Sequence, residues 1–222
     1  MKQALIYQLK ITIIGFKPPI WRRVFVSEDA SFFELHSLIQ DVFDWEDYHL
    51  HSFRALRNNG KKQIYIQDQE TNDEWAYPVA EELLPPTEER NEYLDEHNTK
   101  LSDFFSQEFP KIKYEYDFGD SWEHQIELEK ILDDPVTSVP AVVTGKRLGP
   151  PEDSRGWIHD AKDIVRASKN KRSAYWRELN EVWDAEAVTD FVLMSKDFLF
   201  VPFEVGDVVI SDPKERLKRY EM

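Results

Sequence analysis

A chain of 222 residues makes one large domain or two small ones, and at this size roughly 70% of the unfolded surface is buried without a disulfide or metal staple. With 41% hydrophobic, 14% aromatic and 32% charged residues the composition is globular, and the absence of cysteine excludes a disulfide frame, a thiol nucleophile and a thiolate metal site. The net charge of −15 argues against a surface that grips nucleic acid as a whole, although the acid is concentrated in residues 67–108, which carry 13 acidic and 2 basic side chains.

Residues 3–16 read as a strand, because Leu5, Tyr7, Leu9, Ile11 and Ile13 recur at period two. Lys17-Pro18-Pro19 breaks it, and residues 20–26 form a second strand in which Trp21, Arg23 and Phe25 alternate with Arg22, Val24 and Val26. Ser31 with Glu34 fits a capping box, and Leu35, Leu38, Ile39 and Val42 follow at helical spacing to an end near Asp44-Trp45. Residues 48–56 return to strand, Asn58-Asn59-Gly60 signals a tight turn, and residues 61–66 are the hairpin partner. From 68 to 98 no period is sustained, so this stretch reads as a loop with some short element hidden in it. A helical turn is predicted over 101–105. Ile112, Tyr114, Tyr116 and Phe118 share one strand face, Asp117-Phe118-Gly119-Asp120 makes the turn, and residues 122–131 return with Trp122, His124, Ile126 and Leu128 on one face. A short strand over 141–144, helices over 159–169, 173–182 and 185–197, and a late strand pair over 198–210 around Gly206-Asp207 complete the reading. Strands and helices come in blocks with hairpins, so the class is α+β: a mixed, largely antiparallel sheet packed against helices, with a mostly helical C-terminal region. Residues 1–157 form the core and 158–222 an extension packed on it as a single compact unit. No apolar run approaches the ~20 residues of a membrane helix, and Met1-Lys2-Gln3-Ala4 leads into a strand rather than a secretion signal, so a cytoplasmic protein with no membrane partner is expected.

Five constellations carry possible chemistry. His49 and His51, two apart on a strand, would project from one face, near enough for one metal or a phosphate; a wet sheet face with inert imidazoles is the plainer alternative. His124 shares a face with apolar side chains and needs a partner, for which Asp117 and Asp120 are candidates. Pro150-Pro151 stiffens a loop holding Glu152 and Asp153, either as ligands or as an exposed loop with Asp153 or Ser154 capping the next element. Arg22 beside Trp21 can meet an anion, stack on an aromatic or pair with the acids of its own fold. Residues 166–177 interleave Arg166, Lys169, Lys171, Arg172 and Arg177 with Tyr175 and Trp176, a nucleic-acid pattern or a solvated helix face. No phosphate loop, dinucleotide fingerprint or nucleophile elbow is present.

The ordered set Tyr7-Gln8-Leu9-Lys10-Ile11, Pro18-Pro19-Ile20-Trp21-Arg22-Arg23, Leu35-His36-x-x-Ile39-Gln40, Trp45, His49-Leu50-His51-x-Phe53, Tyr116-Asp117-Phe118-Gly119-Asp120-x-Trp122-x-His124 and Pro150-Pro151-Glu152-Asp153 resembles the plasmid pRiA4b ORF-3-like family over about residues 3–157. The resemblance implies an α+β fold and a link to bacterial mobile elements, including as an insertion-sequence passenger, with no established activity to carry over. The polar residues on its motifs are Trp21, Arg22, His36, Gln40, His49, His51, Asp117, Asp120, Trp122, His124, Glu152 and Asp153. Members often carry cysteines around the Pro-Pro-Glu-Asp loop and a Gly-Gly after it; here Leu148-Gly149 precedes it and Ser154-Arg155-Gly156 comes after. The leading expectation is a non-enzymatic module whose candidate pocket, formed by those twelve residues, takes a protein partner or a small anionic ligand. The alternative is a metal-dependent phosphoesterase or nuclease, with a divalent metal on His49, His51, His124 and Glu152 and with Asp117 beside them. A nucleic-acid adaptor using residues 166–177 is the second alternative, disfavoured by the net charge.

Overall fold

The computed structural model describes residues 4–57, 62–68, 91–133 and 138–218. Among these residues eight strands form one sheet: β1 (Ile6–Ile13), β2 (Ile20–Ser27), β3 (His51–Arg57), β4 (Lys62–Gln67), β5 (Glu92–Asp95), β6 (Lys111–Tyr116), β7 (Trp122–Leu132) and β8 (Ala141–Lys146). Their order is β5-β4-β3-β6-β7-β1-β2-β8, and the β4–β5 pair alone is parallel. The helices are α1 (Phe32–Phe43), α2 (Arg155–Ile158), α3 (Ala161–Ser168), α4 (Ala174–Val182), α5 (Ala185–Phe200) and α6 (Pro213–Leu217). The fold is α+β.

The period-two alternation sets the two sheet faces. Tyr7, Leu9, Ile11 and Ile13 of β1 lie opposite Val26, Val24, Arg22 and Ile20 of β2, all on the buried face. Ile126 and His124 of β7 continue that face from Ile11 and Ile13. On the other face Arg23 pairs with Glu129 at 2.5 Å, and Arg54 with Glu115 and Glu123 at 2.9 and 2.8 Å, a half-exposed ladder of cross-strand charges.

Helix α1 lies on the apolar face. Ser31 Oγ accepts from the Glu34 amide while the Glu34 carboxylate accepts from the Ser31 amide, the expected capping box. Asp44, left-handed at φ 62°, ends the helix, its amide donating to the Gln40 and Asp41 carbonyls. The C-terminal helices join the same core through Ile158, Ala161 and Phe198, with the Phe16 ring against His159 and Phe198.

Several expected elements are corrected. The strand expected over 48–56 starts at His51, so His49 precedes the sheet. The helix expected over 159–169 is α3, Ala161–Ser168, and the short α2 that precedes it at Arg155–Ile158 is unexpected. No strand pair forms over 198–210: α5 runs on to Phe200, and Val205–Asp207 is a turn of 3-10 helix. The alternating run from Phe198 misled because Val188, Val192, Ser195 and Phe198 also lie at helical spacing, and those are the residues buried. Pro202 then keeps Val201 out of the helix. The stretch 68–98 holds β5, while residues 69–90 and the Asn58-Asn59-Gly60 turn lie outside the described residues.

Candidate functional site

Helical spacing places His36 and Gln40 on one face of α1, above β6. Gln40 Nε2 donates to the Tyr114 hydroxyl at 3.0 Å, and His36 Nδ1 lies 2.8 Å from the same oxygen. His36 Nε2 is 2.9 Å from Asp47 Oδ1, and Arg216 Nη1 donates to Asp47 Oδ2 at 3.3 Å. Burial, Asp47 and Tyr116 hold the Tyr114 hydroxyl well above its usual pKa, so it stays protonated and donates to His36 Nδ1. The His36 proton therefore sits on Nε2, facing Asp47. Burial, with the neighbouring His51 charge, lowers the His36 pKa, so this imidazole is neutral.

The His51 ring stacks on His36 with centroids 3.5 Å apart and planes 3° from parallel. Its Nε2 lies 2.7 Å from Glu96 Oε2. Burial alone would lower the His51 pKa; the charge and hydrogen bond of Glu96, with Asp47 and Asp68, outweigh it and raise it. Burial likewise pushes Glu96 up, and His51 overrides it to leave that carboxyl low. His36, Asp47 and His51 hold ligand-type atoms within 4.8 Å of one another. The parallel rings nonetheless aim their in-plane nitrogens within two separate planes, so the two directions do not meet at one ion. Each Nε2 also has its carboxylate already. This interior network is a support for the fold.

The other interior residues have structural partners too. His124 does not pair with Asp117 or Asp120: its Nδ1 donates to the Trp122 carbonyl at 2.8 Å, and its ring sits among Phe43, Trp45 and Tyr114. Its Nε2 is buried without a partner among the described residues, and burial pushes the pKa down to about 3. Arg22 is 1% exposed and meets no anion among the described residues. Its guanidinium lies between the Phe43 and Phe203 rings and donates to the carbonyls of Val42, at the open end of α1, and of Arg147. Burial lowers its pKa to about 9. Trp21 faces the polar side of the sheet beside Lys10 and Arg23, and Trp122 is buried beneath Arg155.

At the end of the sheet the strand connections form a rim. The Tyr116 hydroxyl donates to Glu152 Oε1 and accepts from the Tyr48 amide at 3.0 Å. Glu152 Oε2 accepts from the Glu46 amide at 2.7 Å, and Trp45 Nε1 donates to the Pro150 carbonyl at 2.8 Å. Gly149 passes so near the end of α1 that a Cβ there would stand 2.6 Å from the Phe43 carbonyl oxygen. Beyond the loop the Arg155 amide donates to Asp120 Oδ2, and its guanidinium to the Ser121 carbonyl. Ser154 occupies the position before α2 but does not cap it; its hydroxyl donates back to the Pro151 carbonyl. Asp117 Oδ1 accepts from the Gly119 and Asp120 amides, leaving Oδ2 toward His49. Asp153, left-handed at φ 55°, directs Oδ1 at His49.

His49 Nε2 is thus 3.1 Å from Asp153 Oδ1 and 3.9 Å from Asp117 Oδ2. The three atoms form a second cluster within 4.8 Å, and this one opens to solvent: the Asp153 side chain is 71% exposed and that of His49 30%. The two imidazoles expected to share a ligand are separated, His49 to the rim and His51 to Glu96. His49, His51, His124 and Glu152 with Asp117 do not form one ligand set. Sequence reading missed Asp47, Glu96 and Arg216, whose partners lie 11, 45 and 169 positions away, so no local pattern marks them. The basic segment 166–177 meets acid from the turn of helix before it: Arg166 pairs with Asp163, and the Tyr175 hydroxyl donates to Asp160.

A family model described as plasmid pRiA4b ORF-3-like protein matches residues 5–191, reaching well past the motifs that end at Asp153. The uncharacterized protein y4hQ of Sinorhizobium fredii is 30% identical over 153 residues, which cover 69% of this chain and 68% of that protein. A crystal structure of a protein of unknown function, MM3350 from Methanosarcina mazei Go1, is similar with a TM-score of 0.66 and 31% identity, covering 94% of this chain and 99% of that one. No helix among the described residues is long and apolar enough to cross a membrane.

Proposed function

Because the chain belongs to the plasmid pRiA4b ORF-3-like protein family, and the relatives named carry no assigned activity, we propose its function from the site itself: a non-enzymatic binding module whose ligand is cationic. One observation supports this reading. Of the polar motif residues, His36, Gln40, His51, His124 and Arg22 are spent inside the fold, whereas His49, Asp117 and Asp153 meet at an open, acidic rim. An anionic ligand would face carboxylates there, and the Arg155 guanidinium nearby is already engaged by the Ser121 carbonyl. The family's description, which refers to a plasmid reading frame, supports a module accessory to a mobile element.

Thermal shift of the full chain against manganese chloride, a lysine-rich peptide and inorganic phosphate tests the reading. At saturation a cationic probe raises Tm by roughly 5 °C or more. His49→Gln with Asp153→Asn abolishes that shift, and phosphate gives none. Stabilisation by phosphate alone, or an equal shift in the double variant, would overturn it.

A further inference from the structure

We infer that His49, Asp117 and Asp153 are the protein ligands of a divalent first-row metal ion of the manganese or zinc class, which rests on reading the rim as a cation-binding site. The donor set is one imidazole nitrogen and two carboxylate oxygens. Calcium prefers six to eight oxygens, and magnesium a hydrated oxygen shell, so the imidazole selects for transition metals. Donor atoms about 2.1 Å from a shared ion stand about 3.0–3.5 Å from one another in octahedral or tetrahedral geometry. The separations of 3.1 and 3.9 Å from His49 Nε2 need only tenths of an ångström of adjustment to reach that range.

Two features set this cluster apart from an ordinary surface ion pair. First, His49 Nε2 is shut off from solvent, yet among the described residues it makes no hydrogen bond: its contact with Asp153 is close but does not have hydrogen-bond geometry. A pair held only by a shared proton would align the N–H with the carboxylate. Second, Asp117 is held through its other oxygen, and the backbone bearing the other two ligands is anchored on both sides. Asp117 Oδ1 is occupied by the Gly119 and Asp120 amides, so Oδ2 is the atom presented. The loop bearing Asp153 is pinned by Trp45, Glu46 and Tyr116 on one side and by Arg155 on the other. The segment bearing His49 is tied to the Asp117 turn, where the Asp117 amide donates to the Leu50 carbonyl at 2.9 Å. Such outer bonds orient ligands in metal sites. Asp153 faces solvent, so further positions on the ion are open to water or to a partner's own donor group.

The test titrates EDTA-treated full chain with Mn²⁺, Zn²⁺ and Mg²⁺ by calorimetry, and with Co²⁺ by visible absorption. One Mn²⁺ or Zn²⁺ binds per chain, at least tenfold tighter than Mg²⁺. Asp153→Asn and His49→Ala each weaken binding tenfold or more, and His49→Ala shifts the Co²⁺ bands. His97→Ala, in a separate His and carboxylate cluster with Asp68 and Glu96, leaves binding unchanged. Should His49→Ala fail to fold, the exposed Asp153→Asn carries the comparison. Absence of one-to-one binding, indifference to Asp153→Asn, or loss of binding in His97→Ala overturns the inference. If no metal binds while the lysine-rich peptide still stabilises the wild type, the metal falls and the cationic rim stands; if neither acts, both fall.

Discussion

His124 is one of the groups that couple folding to acid. Its imidazole is neutral in the fold, with a pKa lowered to about 3 by burial, whereas in the unfolded chain it protonates near pH 6.5. Between those values the unfolded state binds the extra proton, so folding loses about 1.4 kcal/mol for each pH unit of acidification through this one group. His36, also lowered by burial, adds loss of the same sign below about pH 6.5. His51 works in the opposite sense: with its pKa raised, its contribution is complete below about pH 6.5 and is lost as pH rises through the folded value. Glu96, held low, stabilises above about pH 4.5 and ceases to do so as pH falls through its folded value. Urea unfolding at pH 7, 6, 5 and 4 therefore gives a falling stability, and His124→Leu flattens the fall by about 1.4 kcal/mol per pH unit. An unchanged slope in that variant would refute the assignment. At the rim, Tyr116→Phe removes the hydroxyl that joins Glu152 to the Tyr48 amide, and unfolding free energy drops by about 1–3 kcal/mol. A change under about 0.5 kcal/mol would show that the loop is held without it.

Helix α1 is buried on nearly all sides, which a single sheet face does not achieve. The C-terminal arm supplies the rest. Ser211 donates from its amide and hydroxyl to Asp41, and Arg216 of α6 reaches both Asp41, at 2.5 Å, and Asp47. Both carboxylates are buried, so Arg216→Ala removes the cation they share, leaves Asp41 to Ser211 and Asp47 to the neutral His36, and costs about 3–5 kcal/mol, read by denaturant unfolding, with earlier proteolysis of the arm. A loss below about 1 kcal/mol would mean that water replaces the guanidinium. This clamp also marks where sequence reading stops. The strand periodicity of β1, β2, β6 and β7 and the Ser31 capping box are local signals that held; the helix period of 185–200 was read short because Phe198 onward also alternates. The charged partners of α1 are distant in the chain, and Asp41 and Asp47 look like ordinary solvated acids until the arm folds over them. The rim was half legible: its residues stand in motifs, but only the fold separates His49 from His51 and turns His124 inward.

On the scale of the whole molecule, the sheet's outer face balances its own charges in cross-strand pairs, so the net of −15 is expressed elsewhere, the rim included. An acidic field raises the local concentration of cations and repels polyphosphate. The basic residues of 166–177 do not reverse it. Arg166 is engaged by Asp163, Lys171 lies over the Trp176 ring, and Asp160 sits beside Tyr175. Nucleic-acid affinity grows with each phosphate neutralised and falls steeply with salt, so low salt is where a weak binder would reveal itself. A gel shift with single- and double-stranded 30-mers at about 50 mM salt should show no complex. A complex that weakens with rising salt and disappears in an Arg166→Ala, Arg172→Ala, Arg177→Ala variant would restore the adaptor reading. The same field makes the opposite forecast for cations. Binding of the lysine-rich peptide at the rim weakens between about 0.01 and 0.1 M ionic strength, as the Debye length contracts from about 30 to about 10 Å. Salt-independent binding of that peptide would mean that apolar contact, rather than the carboxylates around His49, holds it.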